Sequence, residues 1–483
     1  MSLKASKSLA VFGTSSGAGK TLLVSLLLKH FRKKGYSVAP FKALNISLNS
    51  GVGKGGEIAY AQIFQAKVAG LEPEVEMNPI LVKPQEKDLY VVVKGKYRAT
   101  VTVEEFYSQK FQEYLRNVIA DSFNKLSKKH DIIIIEGTGA PTEINLPDLS
   151  NRYILKISGA KYLLVSDIYR GGSLASILGT VIILGRERFI GAILNKYSGK
   201  EDLIKPAMSI MMKRYGIKIL GFIPYYEIVA PWEDGSDTVP SKYGRLKILF
   251  VRTPYMSNFT DAFPLFMYPD IGINFQGYVS GGYDLIVLPG SKVTVRDIKY
   301  LKSVNAEEEL RNALKNGSTV MGICGGLQAL GEKIIDNLES KEGEYSGLSL
   351  LKAKTVMNSS KVVANSNAKV LQGPSAGTLI KGYEIHYGIT EHRIPFELIY
   401  QRNGINTFKQ SGAYEGQVFG TYIHGIFENE IFTLKLLNSL RQKKGLEPIS
   451  LSSVQHFEDI YENIYNNFRK FVDVQAIENE LGV

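Results

Sequence analysis

Val320-Met321-Gly322-Ile323-Cys324-Gly325-Gly326-Leu327-Gln328 holds the one cysteine of the 483-residue chain. Apolar residues run into Cys324, two glycines follow it, and Leu327-Gln328-Ala329-Leu330 reads as the start of a helix. A buried strand that turns sharply into a helix is the repeating unit of an open α/β sheet, where ligands meet the C-terminal ends of the strands. Such a turn exposes a nucleophile at strained dihedrals over the amides of a helix N-terminus. Gly322, Gly325 and Gly326 remove the side chains that would crowd it. The helix dipole and free N–H groups favour a thiolate and later an oxyanion. A lone cysteine is ordinarily a small buried hydrophobe; its glycine setting makes Cys324 a candidate nucleophile.

Gly420-Thr421-Tyr422-Ile423-His424-Gly425-Ile426-Phe427 lies downstream, as expected of a base distant in sequence from its thiol. The two segments together resemble a class I (triad-type) glutamine amidotransferase domain. The resemblance implies that Cys324 attacks the glutamine amide and His424 shuttles the proton. It also places the oxyanion on backbone N–H groups of Gly325 and of the Gly290-Ser291 loop. Many members carry Glu two residues after the histidine, where this chain has Ile426. The nearest acid, Glu428, is offset, so a Cys-His dyad is expected, with the third member open.

A second strand-turn-helix reads Gly13-Thr14-Ser15-Ser16-Gly17-Ala18-Gly19-Lys20-Thr21, after an apolar strand over 8–12 and before a helix over 22–33. Backbone N–H groups of such a loop cradle phosphate oxygens. Lys20 is placed to reach the β/γ-phosphates, and the Thr21 hydroxyl to bind Mg²⁺. The loop is one residue longer than the standard form and resembles that of dethiobiotin synthetase. Glu136 ends the apolar run Ile132-Ile133-Ile134-Ile135, as a metal-directed carboxylate does, and Glu57 is expected at a helix start as a further metal ligand. Lys42 follows the run Val38-Ala39-Pro40-Phe41; in the dethiobiotin synthetase pattern a lysine there faces the reacting phosphate.

Short, unalternated apolar runs recur throughout and fit buried parallel strands. Residues 231–245 hold Glu233-Asp234-Gly235-Ser236-Asp237 and two prolines, and read as a linker. The expected fold class is α/β, with two doubly wound domains: a phosphate-loop domain over 1–235, a linker over 236–245, and an amidotransferase-like domain over 246–483. Residues 456–481 read as amphipathic helices closing the second domain.

Hydrophobic content of 44% and charged content of 22% are those of a globular enzyme. A single cysteine excludes an internal disulfide and suits a reducing cytoplasm. No signal peptide and no membrane span is expected. The formal charge of +11 suits anionic partners. The basic residues are scattered, and no zinc-finger or RNA-binding pattern accompanies them, so no nucleic-acid partner is expected.

Further elements complete the resemblance: Lys42-Ala43-Leu44-Asn45-Ile46-Ser47-Leu48-Asn49-Ser50, Gly55-Gly56-Glu57-Ile58, Glu136-Gly137-Thr138-Gly139-Ala140-Pro141-Thr142-Glu143-Ile144-Asn145-Leu146, Asp167-Ile168-Tyr169-Arg170-Gly171-Gly172, Ser257-Asn258-Phe259-Thr260-Asp261, Leu288-Pro289-Gly290-Ser291-Lys292 and Gly382-Tyr383-Glu384-Ile385-His386. In this order, over nearly the whole chain, they resemble the cobyric acid synthase family (CobQ/CbiP type). The family implies ATP–Mg²⁺- and glutamine-dependent amidation of four carboxylates of a corrinoid polycarboxylate, adenosylcobyrinic acid a,c-diamide. It implies substrate or phosphate contacts from Asn45, Ser47, Asn49, Asp167 and Arg170, and is compatible with a homo-oligomer. One departure is Tyr169, where the family usually carries an acid. The rival readings are cobyrinic acid a,c-diamide synthase, a phosphate-loop regulatory or partition ATPase, and a non-catalytic corrinoid-binding protein.

Overall fold

The structure, a computed structural model, describes residues 6–145, 147–227 and 241–483. Leu146 and linker residues 236–240 lie outside them. The chain divides into two compact units. The first takes Met1–Ser47, Gly53–Glu233 and Glu458–Val483; the second takes Leu48–Val52 and Asp234–Phe457.

The first unit is built on a six-stranded parallel sheet, in the order Ile219–Pro224, Phe189–Tyr197, Lys161–Asp167, Lys7–Gly13, Ile132–Glu136, Val38–Phe41. From the central strand Lys7–Gly13 the chain first winds to one side and later to the other. The crevice at such a reversal is where open α/β sheets hold ligands. Ile132, Ile133, Ile134 and Ile135 are fully buried, because helices cover both faces of the sheet. Each such side chain contributes about 1.5–3 kcal/mol relative to exposure. The helix Lys20–Lys33 is apolar around most of its circumference, with Leu23, Val24, Leu26, Leu27, Leu28 and Phe31 at 0% exposure.

The terminal helices Phe457–Phe471 and Val474–Leu481 do not close the second domain as the sequence led one to expect; residues from Glu458 onward belong to the first unit. Their apolar stripe, Tyr461, Ile464, Tyr465 and Phe468, announces a buried face without naming its partner. Charge and hydrogen bonding identify that partner as the helix Lys20–Lys33. His30 Nε2 lies 2.7 Å from Glu478 Oε1 and Nδ1 3.2 Å from the Tyr465 hydroxyl. Lys34 reaches Glu478 at 2.5 Å, and Lys29 and Lys33 reach Glu462 at 2.7 and 2.5 Å. Phe471 stacks on Phe222, ring centroids 4.9 Å apart.

A second correction concerns Glu57. It lies inside the strand Gly56–Ala59, and the helix begins only at Tyr60. Its N–H donates to the Gly95 carbonyl (3.0 Å), which holds the backbone extended. Asn49, expected in the first domain, falls within Leu48–Val52 and so in the second unit.

The second unit repeats the layered plan. Its main sheet runs Ile271–Gln276, Leu246–Val251, Leu285–Leu288, Thr319–Ile323, Val418–Thr421, Ala413–Glu415, parallel except for the last pair. The strands Thr319–Ile323 and Val418–Thr421 are neighbours, so the segments that follow them, carrying Cys324 and His424, start from the same sheet end. A further sheet includes the long strands Ala353–Val370 and Leu379–His392. Among the described residues no helix is long and apolar enough to cross a membrane.

Candidate active site

Cys324 caps the helix Gly325–Leu330 at φ 52°, ψ −106°. That is the left-handed side of conformational space, which costs a residue with a side chain of order 1–3 kcal/mol. The surrounding chain holds it there. The Cys324 N–H donates to the Thr421 carbonyl at 2.7 Å, and its Sγ lies 3.7 Å from the Ile385 carbonyl. A Cβ on Gly326 would come within 1.9 Å of the Leu288 carbonyl oxygen, so only glycine lets the turn seat against the neighbouring strand. A Cβ on Gly325 would come within 2.6 Å of the Ser291 nitrogen, which places the Gly290-Ser291 loop directly beside the elbow.

His424 is 1% exposed. Its Nδ1 lies 2.7 Å from Asp261 Oδ2, while Asp261 Oδ1 accepts from the Gly425 N–H at 2.7 Å. Cys324 is among the groups that act on the imidazole. Burial opposes charge on the imidazole, but Asp261 and Cys324 overcome it and push the group up to about 10. Tyr383 stacks on the ring, with centroids 5.3 Å apart, and exchanges two backbone hydrogen bonds with His424. Asp261 therefore occupies the place left open after Cys324 and His424. Glu428 is exposed. Sequence reasoning quoted Asp261 only as the end of a family element, because nothing in spacing connects two residues 163 positions apart.

His386 is buried, with Nδ1 2.7 Å from the Gly388 carbonyl and its ring 3.8 Å from that of Tyr422. Glu384 beside it is paired with Arg402. These groups satisfy one another, as a packed structural histidine does.

At the first unit's strand ends, Gly17 and Gly19 take φ 68° and 103°. A Cβ on Gly19 would lie 2.0 Å from Asn195 Nδ2, so this turn too admits only glycine. Ser15, Ser16 and Gly17 are exposed, whereas Ala18 and Lys20 are buried. Asn195 Nδ2 donates to the Ala18 carbonyl (2.9 Å), and Lys196 Nζ to the Gly17 carbonyl (3.0 Å) and Asp167 Oδ2 (2.8 Å). Thr14 Oγ1 meets Ser166 Oγ at 2.8 Å. Lys20 Nζ donates to the Gly139 carbonyl at 3.1 Å.

Glu136 is fully buried and gathers three donors. Thr21 Oγ1 (3.1 Å) and Lys42 Nζ (2.9 Å) meet its Oε1, and Gln65 Nε2 donates to its Oε2. Gln65, not anticipated from the sequence, continues through Gln62 (3.3 Å) to Asn45 (2.9 Å). The structure thus brings together Lys42, Thr21 and Glu136. Glu57 is paired with Lys83 at 2.5 Å, both buried. Ser47 is buried, and Arg170 is exposed. Among the described residues no cluster of three or more His, Cys, Asp or Glu forms a metal cage. The Thr21 hydroxyl and Glu136 carboxylate are hard oxygen donors, an incomplete shell of the kind Mg²⁺ shares with phosphates and water.

Residues 247–432 match the CobB/CobQ-like glutamine amidotransferase domain, and residues 9–239 the CobQ/CobB/MinD/ParA nucleotide binding domain. A protein of Thermococcus gammatolerans described as "Probable cobyric acid synthase" is 42% identical over 484 residues, covering 99% of this chain and 100% of that one. The chain belongs to the cobyric acid synthase family. Two further relatives named cobyric acid synthase, from Clostridium botulinum (98% of both chains) and Caldanaerobacter subterraneus (97% of both), are each 37% identical. Within this cobyric acid synthase family member, Asp261, Cys324 and His424 all fall inside the amidotransferase match, and residues 13–21, Lys42 and Glu136 inside the nucleotide-binding match.

Proposed function

We propose that this chain is a glutamine-hydrolysing, ATP-dependent amide ligase, a cobyric acid synthase that amidates the b, d, e and g side-chain carboxylates of adenosylcobyrinic acid a,c-diamide. One observation carries the proposal. A buried Cys324–His424–Asp261 set and a phosphate loop occupy one chain that aligns end to end with curated cobyric acid synthases.

In the second unit His424 takes the Cys324 proton, and the thiolate attacks the glutamine side-chain carbonyl. The oxyanion is received by backbone N–H groups of Gly325 and the Gly290-Ser291 loop. His424 returns the proton to the departing ammonia, leaving a γ-glutamyl thioester. Water, deprotonated by His424, then releases glutamate. Asp261 holds the imidazole and supports its positive charge, as the acid of a catalytic triad does.

A carboxylate is a poor electrophile, since its charge repels nucleophiles and oxide leaves badly. A substrate carboxylate oxygen therefore attacks the γ-phosphorus of ATP, giving an acyl phosphate and ADP. Lys20 and Lys42 offset the charge that develops on the transferring group. Ammonia adds to the acyl carbon, and phosphate leaves with the bonding pair. Thr21 and Glu136 would hold Mg²⁺, which when bound supplies positive charge at the phosphates; Glu57 is held instead by Lys83. The +11 balance of the chain suits a polycarboxylate partner.

Mass spectrometry of products from corrinoid, ATP, Mg²⁺ and glutamine tests the proposal. Four exchanges of OH for NH₂ on the diamide, with matching ADP and glutamate, are expected. Two exchanges on cobyrinic acid instead would make the chain the a,c-diamide synthase. ATP turnover indifferent to any corrinoid would make it a regulatory ATPase.

A further inference from the structure

Asp297 lies in the first turn of the helix Thr294–Ser303 and is 3% exposed. Three donors converge on it. Ser291 Oγ (2.6 Å) and Thr253 Oγ1 (2.8 Å) both donate to Oδ2, and the Tyr255 N–H (2.9 Å) donates to Oδ1. An ionised carboxylate suits such a site, since it accepts at both oxygens. Burial pushes Asp297 up to about 6, with those donors pulling against it.

The partners of Asp297 are not scattered. Ser291 belongs to the Gly290-Ser291 loop, which pairs antiparallel with Met256–Ser257. The Lys292 N–H donates to the Tyr255 carbonyl at 2.9 Å, closing the same junction. Asn258 follows at φ 52°, and then the 3₁₀ segment Phe259–Met267, which carries Asp261. A Cβ on Gly290 would stand 3.0 Å from His424 Cε1. The helix that bears Asp297 also grips the elbow itself, because Thr294 Oγ1 donates to Gln328 Oε1 at 2.9 Å.

We infer that Asp297 is a positioning residue for glutamine hydrolysis. It ties the Gly290-Ser291 loop to residues 253–255, so that the oxyanion donors of that loop keep their register relative to Cys324. The inference rests on the proposed role of that loop. A carboxylate that never touches glutamine then sets the rate at which the thioester forms.

Asp297→Asn keeps the shape and removes the charge. Glutamate release is expected to lose about 10²-fold in kcat, the lower range for disturbing an oxyanion donor, with KM little changed. Ser291→Ala removes one donor and leaves Thr253 and Tyr255 on Asp297. It should cost roughly 2–10-fold in kcat, the worth of one ordinary hydrogen bond. Alkylation of Cys324 by iodoacetamide and ammonium-supported amidation should stay at the unsubstituted level in both variants. An unchanged kcat in either variant overturns the inference. So does a kcat that falls in step with alkylation rate and melting temperature, since that marks general loosening. If the unsubstituted chain shows no ammonium-supported amidation, the ligase proposal fails while the glutamate-release comparison still decides the role of Asp297.

Discussion

At the thiol centre a residue with a side chain occupies strained backbone, Cys324 at φ 52°. At the phosphate loop the left-handed positions belong to Gly17 and Gly19, at φ 68° and 103°. The proposed roles of the two turns account for the difference. A nucleophile is a side chain, so the fold bears its strain and surrounds it with Gly322, Gly325 and Gly326. A phosphate cradle presents N–H groups, and any Cβ would intrude. The charges differ in the same way. His424–Asp261 joins an imidazole to a carboxylate, while Lys42–Glu136 joins a lysine to a fully buried carboxylate.

The largest test of this division is a double dissociation. Cys324→Ala should abolish glutamine-dependent amidation and retain activity with high ammonium at raised pH. Lys20→Ala should abolish amidation with either nitrogen source while glutamate release persists. Loss of ammonium-supported activity in a well-folded Cys324→Ala would break the comparison, because the two centres would then share one chemistry.

Next in size is Asp261→Asn. The imidazole keeps a neighbour of the same shape and loses the charge that sustains its cation. Glutamate release should fall roughly 10²–10⁴-fold, as when a positioned base is disabled. Steady-state glutaminase assays check this, and a change under tenfold would return the centre to a dyad.

A smaller, pH-dependent effect belongs to Glu397, fully buried with Oε1 accepting from Thr421 Oγ1 at 2.8 Å. Burial pushes its carboxyl up to about 8, Thr421 partly offsetting it. A carboxyl with a raised folded pKa binds its proton more tightly in the native state than in the unfolded chain. Its contribution to stability is therefore full below the ordinary Glu value and falls as pH rises through about 8. Glu397→Gln removes that loss. Its melting temperature should gain on the unsubstituted chain between pH 5 and pH 8, and parallel curves would show Glu397 ionised throughout.

The smallest effect addresses strain itself. Cys324→Gly should unfold at higher denaturant than Cys324→Ala, by about 1 kcal/mol, because glycine adopts positive φ freely. Equal stabilities would mean the elbow stores no strain.

The fold was legible because its signals are local. A run such as Ile132-Ile133-Ile134-Ile135 ending in Glu136, or glycines around Cys324, fixes strand, turn and ligand edge within a dozen residues. The third member of the thiol set was not, since Asp261 reaches His424 through topology rather than spacing. Gln65 was equally silent, as one of two buried glutamines, with Gln62, on the helix Tyr60–Ala69. The terminal helices failed differently: their stripe was readable, but a stripe says only that something covers it. Glu462 and Glu478 finding Lys29, His30, Lys33 and Lys34 decided what.

That last contact has a consequence for biogenesis. Residues from Glu458 onward leave the ribosome after the whole of the second unit, yet they seal the helix that carries Lys20 and Thr21. Domains tend to fold as units during synthesis, and contacts between distant parts of a chain form late. The unit begun first is thus the unit finished last. A nascent chain that already holds its glutamine-splitting half still lacks the seal on its phosphate-loop helix.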